Sequence, residues 1–286
     1  MKSIKYALIA IFLCGIIATG FVTVPEKKQV IFLQSAESNI SPDQMNKAAE
    51  VITLRLKNFL SGPFDVKAVS GRNQIRITVD GNAELKMIKS LITQKGMFSF
   101  YKTYNNQSLK DLVKDDKNLV NMLLERGNAA SSATLLCTSA DSIGYFERYL
   151  APSSVNEEVR FAWSNLFDEQ DACLYALQTG KENIIPLTGA DIESFETKQD
   201  AQARWQSIGF RFREPVIGVW ADITKSNLGK AIAVLMDNKV LFAPVVQSEI
   251  TGGNLEITGD FSQTEVRFIA AVGKSGTLPV SLVVVK

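Results

Sequence analysis

The stretch SPDQMNKAAEVITLRLKNFLSGPFDVKAVSGRNQIRITV, residues 41–79, decides how the chain is read. Ser41-Pro42-Asp43-Gln44 supplies a capping serine, a proline at the first helical position and a glutamine three residues after the cap, which together open a helix. Met45, Ala48, Ala49, Ile52, Leu56, Phe59 and Leu60 follow at helical spacing, and Gly62-Pro63 stops the run. Two strands come next, Asp65 to Val69 and Gln74 to Val79, joined by Ser70-Gly71-Arg72-Asn73. Upstream, Gln29 to Leu33 reads as a strand. Downstream, a helix from Ala83 to Thr93 turns Leu85, Ile88, Leu91 and Ile92 inward, and Gly96 leads into a strand from Met97 to Tyr101. The order β-α-β-β-α-β predicts a ferredoxin-like sheet with both helices on one face, within an α+β fold.

Beyond Tyr101 the texture changes. Residues 105–118 are polar and charged and mark a boundary, crossed by a helix with Leu109, Leu112, Val113, Val120, Leu123 and Leu124 on one side. A strand, a helix, a second helix start at Ser154-x-x-Glu157 and a strand around Leu174 to Leu177 fill the next segment. A third region opens at Leu187-Thr188-Gly189-Ala190-Asp191. In it, Ala231 to Met236 and Val240 to Val246 read as hairpin arms about Asp237-Asn238. Ser262-x-x-Glu265 caps a last helix with Val266, Ile269 and Ala270 inward, and a strand from Val280 to Val285 ends the pattern.

At 286 residues the chain has room for about two domains. Its 31 Lys plus Arg against 30 Asp plus Glu leave no global field to recruit nucleic acid. It has no histidine, which excludes Ser-His-Asp and Cys-His nucleophilic machinery and imidazole-dependent zinc sites. Residues 6–24 are uncharged and apolar, follow Lys2 and Lys5, and are long enough to span a bilayer. Ala18-x-Gly20 also suits a cleavage site, so residues 1–24 read as a signal anchor or a signal peptide. Either way the remainder is expected in the cell envelope, held at the inner membrane or released. In that compartment Cys137 and Cys173 have two readings, a disulfide or two separate buried thiols.

Candidate chemistry is sparse. Ser99-x-x-Lys102 has acyl-enzyme spacing, but on a strand those positions face opposite ways. The acidic pairs at Asp115-Asp116, Glu157-Glu158 and Asp168-Glu169-x-Asp171 suit solvated surface and helix starts. No calcium loop or nucleotide phosphate cradle is present, and Thr251-Gly252-Gly253-Asn254 suits a turn. The aromatics Phe161, Trp163, Phe167, Trp205, Phe210, Phe212 and Trp220 suit core packing, with ligand stacking as the other option. No catalytic residue, metal or cofactor is assigned.

Residues 224–240, TKSNLGKAIAVLMDNKV, followed by Ala243-Pro244-Val245-Val246-Gln247, Ile250-Thr251-Gly252-Gly253, Ile257-Thr258-Gly259-Asp260-Phe261-Ser262 and Gly276-Thr277-Leu278-Pro279, resemble the first periplasmic domain of SecD and SecDF. Leu187 to Asp191 resembles the start of that family's head subdomain. Residues 29–101 resemble its base, and Phe161-Ala162-Trp163 with Leu174 to Leu177 an insertion found in some fused chains. Gln29 to Gln34 departs from the family's glycine-rich first strand, and the family's further membrane helices have no counterpart here.

The resemblance implies a base at 25–104 completed by 262–286, an insertion at 105–185 and a head at 186–261. It also implies a stand-alone, non-enzymatic envelope protein that contacts polypeptides or partner proteins beside the export machinery. A ligand-binding surface module is the alternative. Candidate contact residues are Asn238, Lys239, Val240, Phe242 and Pro244 on the hairpin arm and Thr251, Gly252, Gly253 and Asn254 in the loop.

Overall fold

A computed structural model describes residues 28–285 apart from 70, 82–83, 127–128, 130–131, 151–157, 165, 168–170, 199–205 and 260. The expected apolar segment at 1–24, the helix start at Ser154 and Trp205 lie outside the described residues. Among those residues no helix is long and apolar enough to cross a membrane.

Strand β1 (Gln29–Ser35) is followed by α1 (Pro42–Phe59), β2 (Phe64–Val69), β3 (Gln74–Val79) and α2 (Leu85–Thr93). The Ser41 hydroxyl accepts from the Gln44 N–H while the Gln44 side chain accepts from the Ser41 N–H. The reciprocal cap therefore forms as the sequence predicts. Ile31, Leu33, Ile75, Ile77 and Val79 alternate inward and bury against Met45, Ala48, Ile52 and Leu56 of α1.

The next segment holds β4 (Phe98–Tyr104), α3 (Asn106–Leu112), α4 (Lys117–Arg126), β5 (Thr134–Ser139), α5 (Ile143–Leu150), β6 (Val159–Trp163) and β7 (Asp171–Gln178). After it come β8 (Ile184–Thr188), β9 (Ile192–Lys198), β10 (Gln206–Phe212), α6 (Glu214–Ser226), β11 (Ile232–Met236), β12 (Lys239–Phe242), β13 (Asn254–Gly259), α7 (Gln263–Ser275) and β14 (Leu282–Val285).

The first sheet has the order β14-β1-β3-β2, all antiparallel. It is the ferredoxin-like sheet, with one correction to the expected course. The strand after Gly96 does not complete it. β4 instead pairs with β11, β7 and β8 in a second sheet of order β12-β11-β4-β7-β5. The fourth place beside β1 falls to β14, and α7 packs on α1. The crossover from β3 to the last strand is therefore split, and everything from β4 to β13 is inserted within it. A third sheet, β13-β10-β9, lies against α7.

The helix expected to run from Leu109 to Leu124 is two helices. The Asp116 carboxylate accepts from the Leu119 N–H at 3.0 Å. It caps a fresh start for α4 after the charged Lys114-Asp115 step. The Phe161-Ala162-Trp163 motif is strand β6, paired with β7.

Arg55 of α1 sits at the split. Its side chain is fully buried and donates to the carbonyls of Leu91, Gln94, Lys95 and Gly276 and to the Ser275 hydroxyl. Those acceptors end α2 and α7, where the chain leaves and re-enters the first sheet. Burial pushes the guanidinium down to about 10, countered in part by the Asp237 carboxylate. Each donor is matched to a carbonyl or hydroxyl, so the cation is tolerated without a salt bridge of its own among the described residues.

Candidate functional site

The motif at 224–240 owes its residue types to a helix end, a buried strand and a tight turn. Thr224 is fully buried in α6; its hydroxyl donates to the Trp220 carbonyl at 3.0 Å and accepts the Ile250 N–H at 2.9 Å. It thereby ties the loop around 250 to the helix. Gly229 takes φ +73° just past the helix end, a left-handed position that favours glycine. From there the chain enters β11, whose residues Ile232 to Met236 are all buried, as suits a central strand. Asp237 and Asn238, at φ +50° and +69°, make the two-residue turn into β12. The Asp237 carboxylate accepts from the N–H groups of Gly96 and Met97 at 2.9 and 2.8 Å. The turn is thus pinned to the segment that Arg55 holds.

This arrangement separates the candidate contact residues. Asn238 is exposed at the turn, where its side-chain oxygen accepts from Arg160 at 3.5 Å, and Lys239 is half-buried. Val240 and Phe242 point inward and offer no surface to a partner. Val240 is 1% exposed, and the Phe242 ring packs against those of Phe210 and Phe261. Pro244 and the 250–254 loop lie at the other end of β11, about 15 Å from the turn at strand rise. Thr251, Gly252 and Asn254 are exposed. Gly253 is structural: φ is +67°, and a Cβ there would stand 2.7 Å from Cγ1 of Ile217 in α6.

At that second end the structure forms a groove of about 190 Å³ whose apolar walls include Trp220, Ile232, Val234, Pro244, Ile250 and Leu255. Gln247, Ser248 and Glu256 supply polar lining. One wall is β13, and among the described residues that strand pairs only with β10. An edge strand of this kind carries backbone donors and acceptors along its free side.

Trp220 is 1% exposed, packed at a tilt against Phe212 and edge-on to Phe100 at centroid distances of 5.0 and 5.9 Å. Its indole N–H is buried with no hydrogen-bond acceptor among the described residues. A buried donor without a partner costs about 1–3 kcal/mol. Sequence reasoning placed Trp220 in the core and passed over its polar atom, because an unmet donor has no signature in sequence.

The other candidates are ordinary structure. Ser99 and Lys102 lie on β4 opposite Leu235 and Ile232. Trp163, Phe210 and Phe212 are buried and Phe161 and Phe167 half-buried. Cys137 and Cys173 are paired across β5 and β7 and bonded to each other. No group of three or more potential metal-ligating side chains is found among the described residues.

A mixed α and β fold, with its insertion carried between α2 and α7, defines the class first. Residues 168–280 match the family model described as SecDF, P1 head subdomain, and the resemblance to the SecD and SecDF first periplasmic domain holds. Protein translocase subunit SecD of Acidaminococcus fermentans is 41% identical over 100 residues, which is 35% of this chain and 24% of that protein. SecD of Rickettsia prowazekii is 23% identical over 262 residues, 91% of this chain and 42% of that one. The chain thus spans less than half the length of these relatives. A solved structure described as "Structure and function of a membrane component SecDF that enhances protein export" matches with a TM-score of 0.52 at 22% identity, covering 90% of this chain and 98% of that one. A second, described as "Crystal structure of SecDF in Super-membrane-facing form", has a TM-score of 0.53 over 91% of this chain and 30% of that one.

Proposed function

We propose that this chain is a non-enzymatic envelope protein associated with protein export, and that the groove beside Trp220 receives an extended stretch of polypeptide. The carrying observation is an apolar groove walled by Trp220, Ile232, Pro244, Ile250 and Leu255 beside β13, a strand that pairs only with β10 among the described residues. An extended chain meets each of those features. Its backbone adds to the strand edge and its apolar side chains fill the groove. Backbone-directed contact is tolerant of sequence, which suits a protein that meets many exported chains. The relatives' description as translocase subunits supports the export setting.

The test is a photo-crosslinking amino acid at Gln247, at the groove, and at Lys239, near the turn, in cells carrying an export reporter arrested in transit. Adducts with the arrested reporter from Gln247 and not from Lys239 are the expected result. Equal labelling from both, or none from Gln247 in well-expressed protein, overturns the assignment of the groove.

A further inference from the structure

We propose that the outer face of the first sheet lies against the surface of an anionic bilayer. The sheet is covered on one face only: Ile31, Leu33, Ile75, Ile77 and Val79 turn toward α1, and the alternate residues turn away. Strand register sets those outward residues in rows. Lys67, Arg76, Phe32 and Val285 form one row across all four strands, flanked by Asp65, Thr78 and Val30 on one side and Val69, Gln74, Gln34 and Val283 on the other. Val30, Phe32 and Val283 are 52%, 38% and 48% exposed, so the face carries contiguous apolar surface with two cations at one end. Lys67 pairs with Asp65 at 3.2 Å, but both are too exposed for the pair to neutralise the face strongly. An apolar patch beside Lys and Arg is the composition of a surface that rests in the headgroup region.

The chain supplies the geometry as well. β1 begins five residues after the uncharged stretch 6–24 ends. If that stretch spans the bilayer, Val30 is at most about 20 Å along the chain from its end. The polar headgroup layer is itself about 5–8 Å deep. The tether is short enough to hold the outer face at the headgroups and leaves the groove, carried on the inserted segment, to other contacts. This inference rests on reading 6–24 as a membrane anchor.

The test uses the full chain reconstituted in vesicles of phosphatidylcholine and phosphatidylglycerol that contain nitroxide lipids labelled at the headgroup and at the acyl-chain end, which report the bilayer surface and its centre. A genetically encoded fluorescent amino acid is placed in turn at Gly15, Val283 and Asn254. Quenching at Gly15 and Val283 but not at Asn254 is expected. Joint Lys67→Glu and Arg76→Glu substitution is expected to remove the quenching at Val283 while leaving it at Gly15. Quenching at Gly15 with none at Val283 overturns the docked face alone. Absence of quenching at both positions overturns the anchor and the docked face together.

Discussion

Arg55 and Trp220 are both fully buried, both carry polar hydrogens, and are treated in opposite ways. Arg55 is saturated: its donors meet four carbonyls and a hydroxyl contributed by the ends of α2 and α7. Trp220 has an indole donor and no acceptor among the described residues. A saturated buried group holds segments together, and its removal strands the acceptors it served. An unsatisfied one costs folding free energy instead of supplying it. The difference separates the part of this molecule built for rigidity, the split crossover of the first sheet, from the part that tolerates a buried unmet donor, Trp220 beside the groove of the inserted segment.

The largest expected effect is at the rigid end. Arg55→Met removes the cation and leaves buried carbonyls unmet, and should destabilise the fold by about 3–5 kcal/mol, read as a lower midpoint in denaturant. Arg55→Lys should recover little of this, because one ammonium cannot reach acceptors spread over two helix ends. A wild-type midpoint for Arg55→Met would mean that the node is not structural.

Loss of the Cys137–Cys173 link comes next. The bond closes a sequence separation of 36 residues, for which chain entropy gives roughly 3–4 kcal/mol. Its removal in a double Cys→Ser variant should loosen the cluster of Leu135, Leu174, Phe146 and Trp163. Hydrogen exchange should rise in β5 and β7 and stay unchanged around Arg55 and Trp220. A rise spread equally over the whole chain would show that the insertion is not an independent unit.

Gly253→Ala should cost about 1–3 kcal/mol, from a left-handed φ and from crowding against Ile217. Because Gly253 hands the chain to β13, the same change should weaken polypeptide capture at the groove. Stability loss without a change in capture would detach the loop from the function. Smallest in stability is Trp220→Phe, which removes an unmet donor and some ring volume and should shift the unfolding free energy by only about 1 kcal/mol. Its capture of polypeptide from Gln247 should nonetheless fall several-fold. That dissociation of binding from folding is what Arg55 substitutions should never show.

Much of this was legible in the sequence, for identifiable reasons. The capping residues of α1, the alternation of β3 and the Asp237-Asn238 turn are local devices, and local devices leave local patterns. The placement of β4 was not legible. Phe98 to Tyr104 has the same strand character whichever sheet receives it, and its partner β11 lies more than a hundred residues further on. The break between α3 and α4 turned on one carboxylate capping at Asp116, which apolar spacing does not register. At the candidate site, the arm and the loop were found by resemblance. Their separation to opposite ends of β11, the inward course of Val240 and Phe242, and the unmet indole of Trp220 depend on three-dimensional neighbours.

The central claim is that an extended chain fills the groove that Trp220 helps to wall, and the most direct measurement is the resonance of that indole. With the indoles assigned through Trp163→Phe and Trp205→Phe variants, the Trp220 Nε1–H is followed by NMR as an unfolded, apolar-rich polypeptide is added. The account predicts a chemical-shift change of that one signal on binding, with the Arg55 Nε–H unmoved. A Trp220 indole that stays unmoved while the polypeptide demonstrably binds would contradict it.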